Sequence, residues 1–273
     1  MEDIKQRRKG FDQLGYFYEK ASSVTIEPVS FDGVKCYWFI PERATADRIV
    51  IYGHGGAFSV GSIRSHGNMV SHFAQALQLK ILFIDYALAP EHPYPKGIND
   101  IVNVYKTVLA NYSDWRIDFA GDSAGGGILV SAISQLLGTG IPLPAKTVLI
   151  SPWVNLRCDY PSQQENAGKD IISTEYLKAS ATDYAGRHTL EEASPDQARL
   201  DASPPLLIAV GTSEILLDDS KHLYQSVKKI QEKATISFYK DQRHNWPLAD
   251  IHSESSKKLL LEMAGFLNET IPK

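Results

Sequence analysis

The sequence predicts an α/β architecture, a mostly parallel sheet flanked by helices, on three observations. Short runs of β-branched and aromatic residues alternate with segments of helical hydrophobic period. The first two strand-like runs are joined by Asp32-Gly33, a strong hairpin signal, whereas most later runs are followed by a helical segment, the order that right-handed crossovers require. One long polar stretch interrupts the alternation.

In chain order, residues 24–30 and 34–40 form the expected hairpin around Phe31-Asp32-Gly33-Val34, so the sheet begins antiparallel. Further strands are expected at 48–52, 81–85, 117–120, 147–150, 206–210 and 236–239, which makes an eight-stranded sheet. Helical spacing appears at 65–78, 98–111, 124–138, 219–233 and 253–268. The polar stretch between Ser151 and Ser203 is too long for an ordinary connection, and long insertions of this kind often serve as lids. We expect one domain over 1–273 with a small cap built from about 1–22 and 155–202.

Composition sets the class. In 273 residues, 43% hydrophobic and 22% charged side chains are enough to cover both faces of such a sheet. A formal net charge of -4 offers no basic field for nucleic acid, and the cluster Lys5, Arg7, Arg8, Lys9 is expected to be a solvated helix face. Cys36 and Cys158 do not suggest a disulfide framework. The opening Met1–Gln6 carries charge without an apolar h-region, and no stretch is long enough to span a bilayer, so a cytoplasmic location is expected.

Two motifs carry chemistry. Gly121-Asp122-Ser123-Ala124-Gly125 fits the Gly-x-Ser-x-Gly nucleophile elbow and lies between a strand and a helix, where that motif belongs. The elbow strains the serine backbone, so small residues are needed two positions before and after it, and the helix N-terminus aims its dipole at Ser123. A glycine-rich turn with an incidental serine is the structural alternative. His54-Gly55-Gly56-Ala57-Phe58 follows strand 48–52, where this arrangement supplies oxyanion donors. Acyl transfer develops negative charge on a carbonyl oxygen, which fixed backbone amides stabilise. The expected donors are Gly55, Gly56 and Ala124, with His54 anchoring the loop.

With these residues in hand, nearly the whole chain resembles the hormone-sensitive-lipase-like branch of the α/β-hydrolases, whose bacterial members are mainly esterases. The resemblance is carried by His54-Gly55-Gly56-Ala57, Asp85 through Pro93, Gly121-Asp122-Ser123-Ala124-Gly125-Gly126, and Ser151-Pro152-Trp153-Val154. The family usually has a third glycine where Ala57 stands, a change expected to narrow the acyl-alcohol groove or shift preference among bulky alcohols without abolishing the oxyanion hole. The resemblance makes Asp85–Pro93 a structural loop. Glu91 and His92 precede the nucleophile, whereas the chain order of this fold is nucleophile, acid, histidine.

After strand 206–210, Glu214, Asp218 and Asp219 compete as triad acid. The family pattern Asp-x-Leu-x-Asp, aligned on Leu216, implies Glu214, which also lies nearest the strand end; Asp218 remains the alternative, and both aspartates are expected to cap the following helix. The family places its histidine after the last strand, commonly in a His-Gly-Phe-like setting, which implies His244 in Arg243-His244-Asn245-Trp246. His66, His72, His188, His222 and His252 are expected in packing or surface roles.

The resemblance thus implies a carboxylesterase that cleaves short-chain acyl esters through Ser123, His244 and Glu214 and an acyl-enzyme, with no metal or organic cofactor. The chain has no Walker-type loop and no zinc-binding pattern. A ligand receptor on the same fold would be expected to lack a triad member. A lactonase, a sugar-ester deacetylase or a peptidase would use the same groups. The family often dimerises through edge strands or helices, so the resemblance leaves a homodimer open; the sequence itself does not give the oligomeric state.

Overall fold

The computed structural model describes residues 2–269, so residue 1 of the expected N-terminal cap segment and residues 270–273 lie outside it. β1 (Val24–Phe31) and β2 (Val34–Pro41) form the antiparallel hairpin, with Asp32 and Gly33 both at positive φ as a tight two-residue turn demands. β3 (Arg48–Gly53), β4 (Lys80–Ile84), β5 (Arg116–Asp122), β6 (Thr147–Ile150), β7 (Leu206–Gly211) and β8 (Thr235–Tyr239) complete the eight strands. Their order is β1-β2-β4-β3-β5-β6-β7-β8; β2 runs antiparallel to β4, and every pair from β4 across to β8 is parallel.

The helices are α1 (Glu2–Asp12), α2 (Ile63–Leu77), α3 (Lys96–Asn111), α4 (Ser123–Leu136), α5 (Ser162–Glu165), α6 (Thr174–Ala185), α7 (Leu190–Ala193), α8 (Leu217–Lys228), α9 (Trp246–Ala249) and α10 (Glu254–Asn268). A 3-10 turn at Gln13–Tyr16 follows α1. The central strands are apolar on both faces because both are covered. Along β3, Ile49 and Ile51 join one core with Ile101 and Tyr105 of α3 and Leu129 of α4. Val50 and Tyr52 point the other way, into a second core with Phe73 of α2 and Leu259 and Met263 of α10. Among the described residues no helix is long and apolar enough to cross a membrane.

Residues 155–202 are not a structureless loop, since α5, α6 and α7 lie within them. Ser162 binds them to the body: its amide donates to Asp218 Oδ2 at 2.9 Å and its hydroxyl to the Ile215 carbonyl at 2.7 Å.

Two expectations are corrected. Asp218 and Asp219 cap no amide of α8. Asp218 is taken by Ser162 and Lys221, and Asp219 turns inward to accept from the amides of Val154 and Asn155 at 3.0 and 2.8 Å. The basic cluster is not simply a solvated face either. Arg8 makes a two-pronged pair with Glu91 and donates to the carbonyls of Ser59 and Ala89, while Arg7 stacks over Tyr176. The reason is geometric: α1 lies across the loops that follow β3 and β4, and these present carbonyls and a carboxylate to guanidinium groups that planar forks match well.

Complete burial pushes Asp219 up to about 8 despite its two amide donors, which favours the protonated acid. Asp219→Asn should therefore change unfolding free energy by less than about 1 kcal/mol, whereas Asp219→Ala, which orphans two buried amides, should cost about 2–4 kcal/mol in urea titrations. Equal losses in the two variants would contradict a neutral acceptor.

Candidate active site

Ser123 sits at the corner where β5 becomes α4, with φ 50, a left-handed backbone that strains a side-chain-bearing residue. The corner closes only because its flanks are glycine: a Cβ at Gly125 would collide with the carbonyls of Gly53 and His54, and one at Gly121 with the Gly53 carbonyl. β5 lies beside β3 in parallel, with Gly53 opposite Gly121, so the loop leaving β3 is brought over the serine.

The three chemical groups expected from distant stretches meet here. Ser123 Oγ is 2.8 Å from His244 Nε2, and His244 Nδ1 is 3.1 Å from Glu214 Oε2. Glu214 is fully buried; its other oxygen accepts from Ser151 Oγ at 2.7 Å and from the Gly211 amide at 2.5 Å. A carboxylate that can only accept requires the proton on Nδ1, which leaves Nε2 free to accept from the Ser123 hydroxyl. Burial disfavours a charged His244, but the Glu214 hydrogen bond and charge, with the charges of Asp170 and Asp122 behind them, outweigh it and hold its pKa above the ordinary imidazole value. Asp218 bonds to Ser162 and Lys221 instead and takes no part in this line of bonds.

Asp122, completely buried beside the serine, ties the surrounding loops together. Its Oδ1 accepts from the Tyr52 hydroxyl at 2.7 Å and the Gly55 amide at 3.0 Å; its Oδ2 accepts from Asn245 Nδ2 at 2.6 Å and lies 3.4 Å from His66 Nε2. Burial alone would raise its pKa, yet His66 and the Tyr52 hydroxyl hold it below the usual carboxylate value.

The Gly55 contact corrects one expectation. That amide is committed to Asp122 and does not face the space above Ser123. Gly55 is needed for another reason, because a Cβ there would strike Asp122 Oδ2. The next two residues, Gly56 and Ala57, line the recess over Ser123, and their amides donate to no backbone carbonyl among the described residues. Ala124 belongs to the first turn of α4, whose amides have no intrahelical acceptor. His54 anchors the loop as expected: it is buried, stacked on Tyr86 with ring centres 4.4 Å apart, and donates from Nδ1 to the Gly55 carbonyl. Burial drives its pKa down to about 3, so its ring is neutral.

Above Ser123 opens a recess of about 120 Å³. The N-terminal segment contributes Phe11, Leu14 and Phe17 to its walls, and residues 155–202 contribute Ile171, Ile172 and Leu177. Among the described residues, its ionisable lining side chains are Asp122, Tyr176 and His244. Among the described residues no cluster of His, Cys, Asp or Glu is placed to hold a metal ion.

Several contributors carried no signal in their own neighbourhood. Tyr52 reads as a strand residue and His66 as a helix residue, yet both converge on Asp122. Asn245 stands in the left-handed region at φ 48, where the family's glycine would be relaxed, and asparagine tolerates that backbone. Ser151 stands out in the sequence only within Ser-Pro-Trp-Val, and Asp170 lies in a polar stretch that carries no motif.

Comparison with known proteins agrees with this geometry. Residues 50–248 match a family described as the alpha/beta hydrolase fold. An acetyl-hydrolase of Streptomyces hygroscopicus is 33% identical over 250 residues, covering 89% of this chain and 83% of that protein. An esterase of Acinetobacter venetianus is 30% identical over 268 residues, covering 95% and 87%. The crystal structure of an esterase from the bacterial hormone-sensitive lipase family superposes with a TM-score of 0.94 at 33% identity, covering 98% of this chain and 92% of that one. With a sheet, a serine corner and sequence likeness all in agreement, the chain belongs to the α/β-hydrolase fold family, in its hormone-sensitive-lipase-like esterase branch.

Proposed function

We propose that the protein is a serine carboxylesterase acting on small, uncharged acyl esters. The observation that carries this reading is the unbroken hydrogen-bond line from Ser123 Oγ through both nitrogens of His244 to the buried Glu214. The relatives named acetyl-hydrolase and esterase support it.

In this reading His244 Nε2 removes the Ser123 proton as Oγ attacks the ester carbonyl carbon, and Glu214 stabilises the imidazolium that forms. The amides of Gly56, Ala57 and Ala124 receive the oxyanion. Collapse of the tetrahedral species expels the alcohol, which takes the proton from His244 and leaves an acyl-serine. Water, deprotonated by the same ring, then releases the acid and restores the hydroxyl. The apolar walls favour uncharged substrates, and their enclosure by two segments favours short acyl groups. We assign those segments, about 1–22 and 155–202, the role of a cap.

Ser123→Ala should lower p-nitrophenyl acetate hydrolysis by about 10³-fold or more while leaving the urea midpoint near that of the wild type. Retained turnover would remove the nucleophile assignment. Glu214→Gln should reduce kcat about 10²- to 10⁴-fold, and Asp218→Asn should leave it close to wild type. The opposite ordering would move the acid to Asp218.

Catalysis requires neutral imidazole, and the folded protein raises the His244 pKa, so kcat/KM should fall as pH drops through a limb centred above the ordinary 6.5. A limb centred below that value would mean that Glu214 does not act on the ring.

A further inference from the structure

We propose that Asp170 is a positioning residue through which residues 155–202 hold the catalytic histidine and the triad acid in register. The inference rests on the esterase reading above. It starts from one carboxylate spanning two loops: Asp170 Oδ1 accepts from the His244 amide at 2.8 Å, and Oδ2 accepts from the Ile215 amide at 2.8 Å. Ile215 directly follows Glu214. The backbone that carries the base and the backbone that carries the acid are therefore joined by a single side chain from a third segment.

Neighbouring groups of this segment do only part of the task. Ser162 and Asn166 also reach the acid loop, Asn166 donating to the carbonyls of Thr212 and Glu214 at 3.2 and 2.8 Å, but neither bonds to the histidine loop. Asp170 reaches both. Its Oδ1 also accepts from the amide of Ile171 at 2.8 Å, which fixes its own side chain relative to the backbone. Ile171 and Ile172 are walls of the recess, so the element that meets substrate is continuous with the element that aims the base.

Rigid placement matters because the reacting atoms must stay near hydrogen-bonding distance, and displacement of a catalytic group by about 1 Å can cost about 100-fold. Charge adds a second effect. The ionisable groups facing His244 are Glu214 from the loop after β7, Asp122 at the end of β5 and Asp170, with the Ser123 hydroxyl opposite Nε2. Each carboxylate favours the imidazolium that forms during attack.

The test compares wild type, Asp170→Asn and Asp170→Glu on p-nitrophenyl butyrate, with near-UV circular dichroism as the folding control and Ser123→Ala as the blank. Asp170→Asn should lower kcat about 10- to 100-fold with KM within about twofold, and should move the acid limb of kcat/KM to lower pH because one negative charge facing His244 is gone. Asp170→Glu keeps the charge, so its limb should stay at the wild-type pH while kcat falls.

A folded Asp170→Asn variant with wild-type kcat and limb would overturn the proposal and leave the esterase reading intact. A purely structural role would lower the urea midpoint without moving the limb, and would also overturn it. Should Asp170→Asn fail to fold, Asp170→Glu decides: reduced kcat at an unmoved limb supports the proposal, and wild-type kcat refutes it. Wild type no more active than Ser123→Ala would remove the esterase reading and the proposal together.

Discussion

The left-handed turn at Ser123 is the constraint from which the site follows. A strand entering from the sheet and a helix leaving it can meet at so sharp an angle only if the residue between them accepts φ 50 and the residues two before and two after carry no side chain. The result is a hydroxyl lifted off the end of β5 at the N-terminus of α4, the end whose amides and dipole favour negative charge. The parallel sheet then does the rest of the placement. β3, β6 and β7 lie on either side of β5 and release their loops at the same edge, so the glycine loop after β3, Ser151 and Glu214 arrive at the corner from neighbouring strands.

Asp122 converts that convergence into a fixed geometry. It is a buried charge, which would be costly alone, and it is retained by donors drawn from three places, β3, the loop after β3 and the His244 loop, with the His66 ring of α2 3.4 Å away. Two of these donors also shape the site. Gly55 commits its amide to Asp122 while Gly56 and Ala57 line the recess, and Asn245 links the residue after His244 to the residue before Ser123. The fold and the chemistry thus share one anchor, and a change at Asp122 would disturb both.

Much of the fold was legible in the sequence because its determinants are local. Strands that are apolar on both faces, helices of clear period and an Asp-Gly turn require no knowledge of distant residues, and all eight strands form where these signals lie. Ser123, His244 and Glu214 were legible through motif and chain order, each at the carboxyl end of a strand. What was not legible depends on direction in space. Whether the Gly55 amide faces a substrate or a carboxylate is decided by Asp122, far away in the chain, and no spacing rule encodes it. Arg8 belonged to an apparently solvated cluster until α1 lay across Glu91. Asp170 sits in a polar stretch whose periodicity says nothing about which loops its oxygens will reach.

The most direct measurement is covalent capture. Treating the protein with a small alkyl fluorophosphonate, digesting it and locating the adduct by tandem mass spectrometry should give one phosphonylated residue, Ser123, with loss of ester hydrolysis in proportion to labelling. Full labelling elsewhere, or hydrolysis undiminished after Ser123 is fully modified, would contradict the serine esterase account.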